Sequence, residues 1–196
     1  PFDNVFFDAN SFPTVNDSVY GDLPLLYCNN MDWTGAANNP SFKESGGSAR
    51  LKIYGSLTLS SGMTVGIQYI DFESTSTGNT ITSNGVTINS FIITFEGING
   101  EWSLTDAFNV TDWIRLDEGS FVTNNNTINC SRFNAYNNFL DLGTSNIYCD
   151  DSWNASSSAT LTMNSASSFI QCYGFYGGGN QIYGDVSANY INDDNN

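Results

Sequence analysis

Triplets in which two apolar residues flank a single, usually polar, residue recur along the chain, separated by polar or glycine-containing turns. The clearest set occupies residues 51–53, 70–72, 93–95, 114–116, 140–142 and 161–163. A second set occupies residues 57–59, 86–88, 102–104, 128–130, 147–149 and 170–172. A third, weaker set occupies residues 65–67, 108–110, 133–135 and 153–155. Members of a set recur roughly every twenty residues, a period typical of a solenoid.

Three short strands per repeat of this length predict an all-β fold, a right-handed parallel β-helix (three-sided β-solenoid) of about six or more coils. Each coil pairs with the coils above and below, so equivalent triplets stack into parallel sheets. Because side chains alternate along a strand, the outer members of each triplet point into the core and the middle member points outward. On this alignment Lys52 faces Asp71 on the next coil, and Arg115 faces Asp141.

An antiparallel β-sandwich is the competing fold, since it also combines short strands with polar turns. It does not explain why the triplets fall into three series. Asn-Gly hairpin turns, which a sandwich would use, occur only at residues 84–85 and 99–100. The solenoid is therefore the preferred prediction.

The regularity of the pattern divides the chain into three segments. Residues 51–176 carry the regular coils. Residues 1–50 contain strand-like runs interrupted by prolines, which cannot donate to a strand ladder, so irregular N-terminal capping coils are predicted there. Residues 177–196 begin with three glycines and are predicted to form a turn, a weak strand and an acidic tail.

Composition narrows the classes of function. Five basic residues against twenty acidic ones give a formal charge of −15, so the basic surface that nucleic-acid binding requires is missing. No apolar run is long enough for a membrane helix, and membrane insertion is not predicted. The chain has no histidine, which excludes Ser-His-Asp catalysis and histidine-ligated zinc.

Cys130, Cys149 and Cys172 occupy the same inward place in three triplets, which predicts a ladder of cysteines inside the core. A metal or redox site is the alternative interpretation. Metal-binding cysteines are usually closely spaced and form a tetrahedral cage, which an inward stack does not offer. We therefore predict a structural ladder in which each cysteine acts as a small buried apolar residue.

Acidic pairs at residues 117–118 and 150–151 are the candidate carboxylates for an alternative function, a polysaccharide-processing lyase or glycosidase. With only five Lys and Arg residues, an anionic polysaccharide would be repelled. The chain is therefore predicted not to be an enzyme, and no cofactor is predicted. Weak calcium binding stays open at Asp3 with Asp8, or at Asp150 with Asp151, because carboxylates are calcium ligands.

Exposed aromatic rings suggest a second kind of binding, because such rings combine an apolar face with a polar edge and sugars stack on them in carbohydrate-binding modules. The candidates are Tyr148, Tyr173, Phe175, Tyr176 and Tyr183. Tyr148 is an outward middle residue, and the other four cluster near the carboxyl end. The competing interpretation is that these residues cap the core or pack against a following module.

Several segments resemble modules of very large surface proteins of Bacteroidota. They are residues 3–12, 31–36, 53–59, 100–104 and 140–149. The resemblance implies a secreted, adhesin-like polypeptide, exported by the type IX system and related to gliding-motility adhesins. We therefore expect a non-catalytic structural or adhesive segment at the extracellular bacterial cell surface. Its expected partners are adjacent modules of a larger polypeptide or filament, and surface glycans.

Overall fold

The fold is a stack of coils built from β-strands. The computed structural model describes residues 2–155, 161–178 and 185–192, and these ranges contain no helix, so none that could cross a membrane. Every strand pair within them is parallel and joins one coil to the next. Parallel pairing excludes the antiparallel sandwich. The result is a parallel β-helix of about eight turns, which confirms the predicted fold class.

The strands, numbered in chain order, form three faces. Face 1 contains β1 (Val5–Phe6), β4 (Met31–Asp32), β7 (Leu57–Thr58), β10 (Asn79–Thr82), β13 (Glu101–Leu104), β16 (Ser120–Val122), β18 (Asn138–Asp141) and β20 (Leu161–Asn164). Face 2 contains β2 (Ser18–Gly21), β5 (Ser41–Glu44), β8 (Thr64–Gly66), β11 (Thr87–Asn89) and β14 (Phe108–Val110). Face 3 contains β3 (Leu25–Cys28), β6 (Arg50–Ile53), β9 (Tyr69–Phe72), β12 (Ile92–Phe95) and β15 (Trp113–Leu116).

Four long strands continue from face 2 into face 3. They are β17 (Ile128–Ala135), β19 (Asn146–Ala155), β21 (Phe169–Tyr176) and β22 (Asp185–Asn192). The register shifts where the chain turns the corner, between Cys130 and Arg132 in β17 and between Cys149 and Ser152 in β19. Irregularities of this kind bend a strand, so the later coils turn this corner without a separate loop.

Inward side chains from all three faces form one continuous apolar core. Phe72 stacks on Phe95 of the next coil with ring centroids 5.0 Å apart, and Phe95 lies 4.5 Å from Phe121 of face 1. Further along the rod, Phe133 stacks on Trp153 at 4.7 Å. Ring contacts of this kind add to the burial of apolar area, so each coil is stabilised mainly by its neighbours.

Asparagine makes several of the turns between faces 1 and 2. Asn84 and Gly85 both have positive φ, at 49° and 78°, and Asn124 and Asn125 have φ of 51° and 62°. Asparagine tolerates this left-handed region better than other residues with a side chain. Buried hydroxyls close the same turns, since Ser83 donates to a main-chain carbonyl of the next coil at 2.7 Å. The high asparagine and serine content therefore has a structural role.

The first fifty residues join the same three faces. Pro13 and Pro24 lie outside the strands and Pro40 immediately precedes β5, so none of them removes a ladder hydrogen bond. Phe7 stacks on Trp33 with ring centroids 3.8 Å apart and closes the core at this end. The segment is thus more regular than its proline content indicates. At the other end β22 pairs with β21 along its length, and residues 193–196 lie outside the described residues.

The assignment of triplets to faces from the sequence is partly wrong. The pattern groups residues 140–142 and 161–163 with face 3, but β18 and β20 belong to face 1. Residues 133–135 and 153–155 continue face 3 instead. An apolar-polar-apolar triplet has the same form on every face, and turn lengths differ between coils. Spacing therefore predicts the coil without specifying which face each triplet occupies.

Candidate binding surface

The structure separates the aromatic residues predicted to bind a ligand. Tyr148, Tyr173 and Tyr176 are exposed, and Tyr173 is the most exposed of them at 61%. Phe175 is only 5% exposed, because the alternation breaks where β21 turns the corner and the consecutive residues Gly174 and Phe175 are both buried; Phe175 therefore packs in the core, the competing interpretation, and is not part of an exposed patch. Tyr183 lies outside the described residues.

Tyr173 and Tyr176 border a shallow pocket of about 400 Å³ near the carboxyl end. The pocket is also lined by Asp151, Ser152 and Gly174. Tyr148 is not among its lining residues and lies edge-on to Phe169, with ring centroids 6.1 Å apart. The structure thus brings together two of the predicted residues and leaves Tyr148 apart.

Cys130, Cys149 and Cys172 stack in register on the inner side of face 2. All three are buried free thiols, and the sulfur atoms of Cys130 and Cys149 lie 3.7 Å apart. The hydrogen bond with Cys130, together with burial, raises the pKa of Cys149, and burial raises the pKa of Cys172 to about 11. Neutral buried thiols are poor nucleophiles and act as packing groups.

A row of aromatic and arginine side chains that the sequence analysis does not single out runs along the corner between faces 2 and 3. This aromatic row consists of Arg50, Tyr69, Phe91, Trp113 and Arg132. Its members come from five successive coils, so it extends over four steps of about 4.8 Å, or roughly 19 Å. Phe91 is 47% exposed, while the flanking Tyr69 and Trp113 are half-buried. The row is an extended strip of rings on a mostly polar surface.

Ring contacts fix the geometry of the aromatic row. Phe91 lies edge-on to Tyr69 at 6.0 Å and stacks on Trp113 at 5.9 Å with the planes 26° apart. Arg50 lies over the Tyr69 ring and Arg132 over the Trp113 ring, with guanidinium carbons 4.7 and 4.5 Å from the centroids. Cation–π contacts of this kind stabilise both partners.

Each arginine of the aromatic row is also held by a carboxylate. Arg50 donates to Asp71 and Arg132 donates to Asp151, both at 2.5 Å. Because each guanidinium is fixed from two sides, the rings beneath lose little further freedom when a ligand binds. Preorganisation of this kind lowers the entropic cost of association.

A groove of about 410 Å³ runs beside Phe91 at the same corner. It is lined by Glu44, Gly66, Gln68, Asn89, Ser90, Phe91, Thr111 and Asp112. Thr111 donates to the side-chain oxygen of Asn89 at 3.2 Å. The side chains of Gln68 and Asp112 make no hydrogen bond to other described residues, so an amide and a carboxylate remain available to a ligand.

A carboxylate cluster lies on the outer side of face 3. Asp71, Glu73 and Glu96 each place one oxygen within 4.8 Å of the others. Burial raises the pKa of Asp71. Burial also raises the pKa of Glu96, and the negative charges of Asp71 and Glu73 raise it further. Among the described residues, the cluster is the one group of three or more His, Cys, Asp or Glu side chains close enough together to hold a metal ion.

Lys52 and Asp71 lie next to each other as predicted, but each forms its ion pair with a different residue. The two residues are in register on adjacent strands, as the alignment predicts. Lys52 nevertheless pairs with Glu73, and Asp71 pairs with Arg50. Long side chains reach past the directly opposite residue, so register alone does not specify the partner.

The predicted pair of Arg115 with Asp141 is wrong. Arg115 is in register with Asn134, because Asp141 belongs to face 1. Arg115 pairs with Asp117 of its own coil and lies 4.0 Å from Glu96 of the preceding coil. The error follows directly from the wrong face assigned to residues 140–142.

Neither aspartate pair predicted to bind calcium belongs to a group of three ligands among the described residues. Asp8 accepts hydrogen bonds from the Ser11 hydroxyl at 2.9 Å and the Asn10 main chain at 3.0 Å, and these bonds lower its pKa. Asp151 is held by Arg132. The carboxylate cluster on face 3 is a different place from either predicted pair.

No family model, curated protein or solved structure matches the chain. A signal for the aromatic row is present in the sequence, because Arg50, Tyr69, Trp113 and Arg132 each immediately precede the first inward residue of a face 3 strand. Phe91 stands one residue before that position. The middle residues of the triplets, which predict the outward positions, do not include any member of the row.

Proposed function

We propose that the protein is a non-catalytic, extracellular rod that binds glycans through the aromatic row and the adjacent groove. The observation that carries this proposal is the exposed Phe91 ring, which lies between two half-buried rings and beside Gln68 and Asp112, whose side chains make no hydrogen bond within the described part of the chain. A sugar presents apolar C–H faces to a ring and hydroxyl groups to amides and carboxylates. A row of rings next to a polar groove matches both.

The scaffold suits this role. Every member of the aromatic row is on a β-strand or next to one, and each strand is paired on both sides. Sites on regular elements are positioned more accurately than sites on long loops. Successive coils present similar positions along the rod, so an extended ligand can contact several coils at once.

Charge selects the class of glycan. Four of the five Lys and Arg side chains are in ion pairs, and the formal charge is −15. Polyanionic glycans are therefore repelled at long range. We propose neutral glycans as the ligands.

The same proposal includes a place at the bacterial cell surface. The resemblance to Bacteroidota surface proteins supports an adhesin-like role with type IX export and a link to gliding motility. Large exposed apolar residues are concentrated between residues 2 and 27, where they include Phe6, Leu23 and Tyr27. An apolar surface of this kind suits packing against an adjacent module of a larger polypeptide or filament.

Binding to a panel of neutral and anionic polysaccharides tests the proposal. Phe91→Ala should weaken binding to neutral members about 10-fold or more, the effect of losing about 1.4 kcal/mol of a central aromatic contact. Ile98→Ala is the matched control, since Ile98 is also exposed and apolar but lies outside the aromatic row. Equal binding by Phe91→Ala and the wild type, or loss only in Tyr173→Ala, would reject the row as the site.

A polysaccharide-processing enzyme is the second candidate, favoured by the proximity of Asp71, Glu73 and Glu96. Acid–base catalysis needs two carboxylates that reach the substrate. Asp71 is fully buried and Glu73 is paired with Lys52, so Glu96, 4.0 Å from Arg115, is the most available of the three carboxylates. Reducing-sugar and unsaturated-uronate assays on the same polysaccharides decide the question, since turnover that disappears in Glu96→Gln would overturn the non-catalytic proposal.

A further inference from the structure

The carboxylate cluster joins two coils on the outer side of face 3. Asp71 is the outward middle residue of β9, and Glu73 and Glu96 follow β9 and β12 at equivalent positions. One oxygen from each carboxylate lies within 4.8 Å of the other two. A Ca²⁺ ion about 2.4 Å from each oxygen fits this spacing, because opposite ligands are then about 4.8 Å apart.

Asp71 gives an independent sign of a bound cation. Its side chain is fully buried, and one carboxylate oxygen, Oδ2, accepts from Arg50 at 2.5 Å. The other oxygen, Oδ1, is buried and has no hydrogen-bond partner among the described residues. An unpaired buried carboxylate oxygen is energetically costly, and native proteins seldom leave one unsatisfied. A metal ion held between the three carboxylates satisfies it.

The neighbouring Lys and Arg side chains leave room for this ion. Lys52 pairs with Oε1 of Glu73, and Arg115 lies 4.0 Å from Oε1 of Glu96. The second oxygen of each glutamate accepts no hydrogen bond among the described residues. Together with Asp117, the patch holds four carboxylates against three Lys and Arg groups. A divalent cation therefore changes the local balance only from one excess negative charge to one excess positive charge.

We propose that Asp71, Glu73 and Glu96 bind one Ca²⁺ ion that bridges the third and fourth coils. An all-oxygen ligand set excludes soft metals that prefer thiolate or imidazole. Mg²⁺ demands a small, regular octahedron, whereas Ca²⁺ accepts irregular sets completed by water. Three protein ligands, of which only the two glutamates are partly exposed, correspond to the affinity of extracellular calcium modules, a Kd of about 10⁻⁴–10⁻³ M. The bound ion then ties adjacent coils together.

Equilibrium dialysis of the chelator-treated protein with radioactive calcium, at constant ionic strength, tests the site. The wild type should bind one Ca²⁺ per chain saturably, and its melting temperature should rise with Ca²⁺ more than with Mg²⁺. Glu96→Gln should weaken binding about 10-fold or more and abolish the shift in melting temperature. The Glu96 side chain is 33% exposed, so this variant should fold.

Glu101→Gln is the matched control, because Glu101 is also a partly exposed glutamate but lies on face 1. It removes the same charge from the protein and should leave the saturable binding unchanged. The proposal is overturned if no saturable binding appears up to ~10 mM Ca²⁺, or if Glu96→Gln binds as tightly as the wild type. An equal loss of calcium binding in Glu101→Gln would show that Ca²⁺ is attracted diffusely to an acidic protein, and this result would also overturn the proposed site. Glycan binding is measured separately, so either proposal can fail alone.

Discussion

Replacing Phe95 with alanine should destabilise the rod far more than replacing Phe91, although both rings belong to the same coil. Phe95 is fully buried, with ring centroids of Phe72, Trp102 and Phe121 at 5.0, 5.5 and 4.5 Å. Phe91 is about half exposed and lies on the outer corner. The comparison holds residue type and coil constant and varies only the depth of burial.

The structure sets the size of the expected effect. A buried Phe→Ala change costs about 3–5 kcal/mol, because it loses transfer free energy and leaves a cavity. Three aromatic neighbours lose contacts with Phe95, so we expect the upper half of that range, about 4–5 kcal/mol. In a chain of this size that corresponds to a fall in melting temperature of roughly 8–20 °C. For Phe91→Ala, partial burial predicts a cost of about 1 kcal/mol.

Urea unfolding followed by tryptophan fluorescence and far-ultraviolet circular dichroism measures this difference. Trp33, Trp102 and Trp153 are fully buried in different coils, so fluorescence reports the loss of the core along the rod. Stacked coils can unfold in parts, and coincidence of the two probes tests whether a single free energy applies. A difference below about 1 kcal/mol between the two variants would refute the packed aromatic core at Phe95.

Four further predictions concern the core and the turns. Cys149→Asp should loosen or unfold the rod, because a buried carboxylate there has no partner, while Cys149→Ala should cost about 1–2 kcal/mol in thermal melts; near-equal melting would contradict the buried ladder. Burial raises the pKa of Cys28 to about 12 and of Cys172 to about 11, so both thiols should resist iodoacetamide until urea is added, as counted by mass spectrometry. Stability should also fall as the pH rises above the ordinary thiol range, since the unfolded chain then releases protons that the folded chain keeps. Gly119→Ala should cost about 2 kcal/mol or more, because φ is +78° and the new Cβ would lie 2.6 Å from a carbonyl oxygen; Gly66→Ala meets open space and should melt like the wild type.

The repeating coil was predictable because it depends on a pattern of residues that are close together in the sequence. Each turn of the rod repeats the same short alternation, and neighbouring coils are neighbours in sequence as well as in space. The register of Cys130, Cys149 and Cys172 follows from the same rule, since equal places in successive triplets stack. The first fifty residues were harder to interpret, because a proline beside a strand and a proline inside one look alike in the sequence.

The faces were not predictable in the same way. Residues 133–135 and 140–142 are both inward triplets, and only pairing with the previous coil assigns one to face 3 and the other to face 1. A bend at Ser131, within β17, lets one strand serve two faces, which a search for separate triplets does not detect. The wrong partner predicted for Arg115 is a consequence of this ambiguity.

The surface sites depend on distances across coils. Tyr69, Phe91 and Trp113 are about twenty residues apart in sequence, and each alone resembles an ordinary core residue next to an apolar strand. Likewise Asp71 is an unremarkable outward residue until Arg50 and the coils around it bury it. Neither grouping can be recognised without knowing which residues of successive coils lie on the same corner or face of the rod.

Alternation and repeat length were therefore sufficient to predict a parallel β-helix and its inward cysteine ladder, because burial of alternate side chains is a property of consecutive residues. The tertiary structure alone decided which triplets share a face, which ring of the aromatic row is exposed and which carboxylates meet. The physical reason is that turns of variable length change the number of residues between one face and the next, so equal spacing in the sequence does not mean an equal place on the rod. A slip of a single residue turns an inward side chain outward.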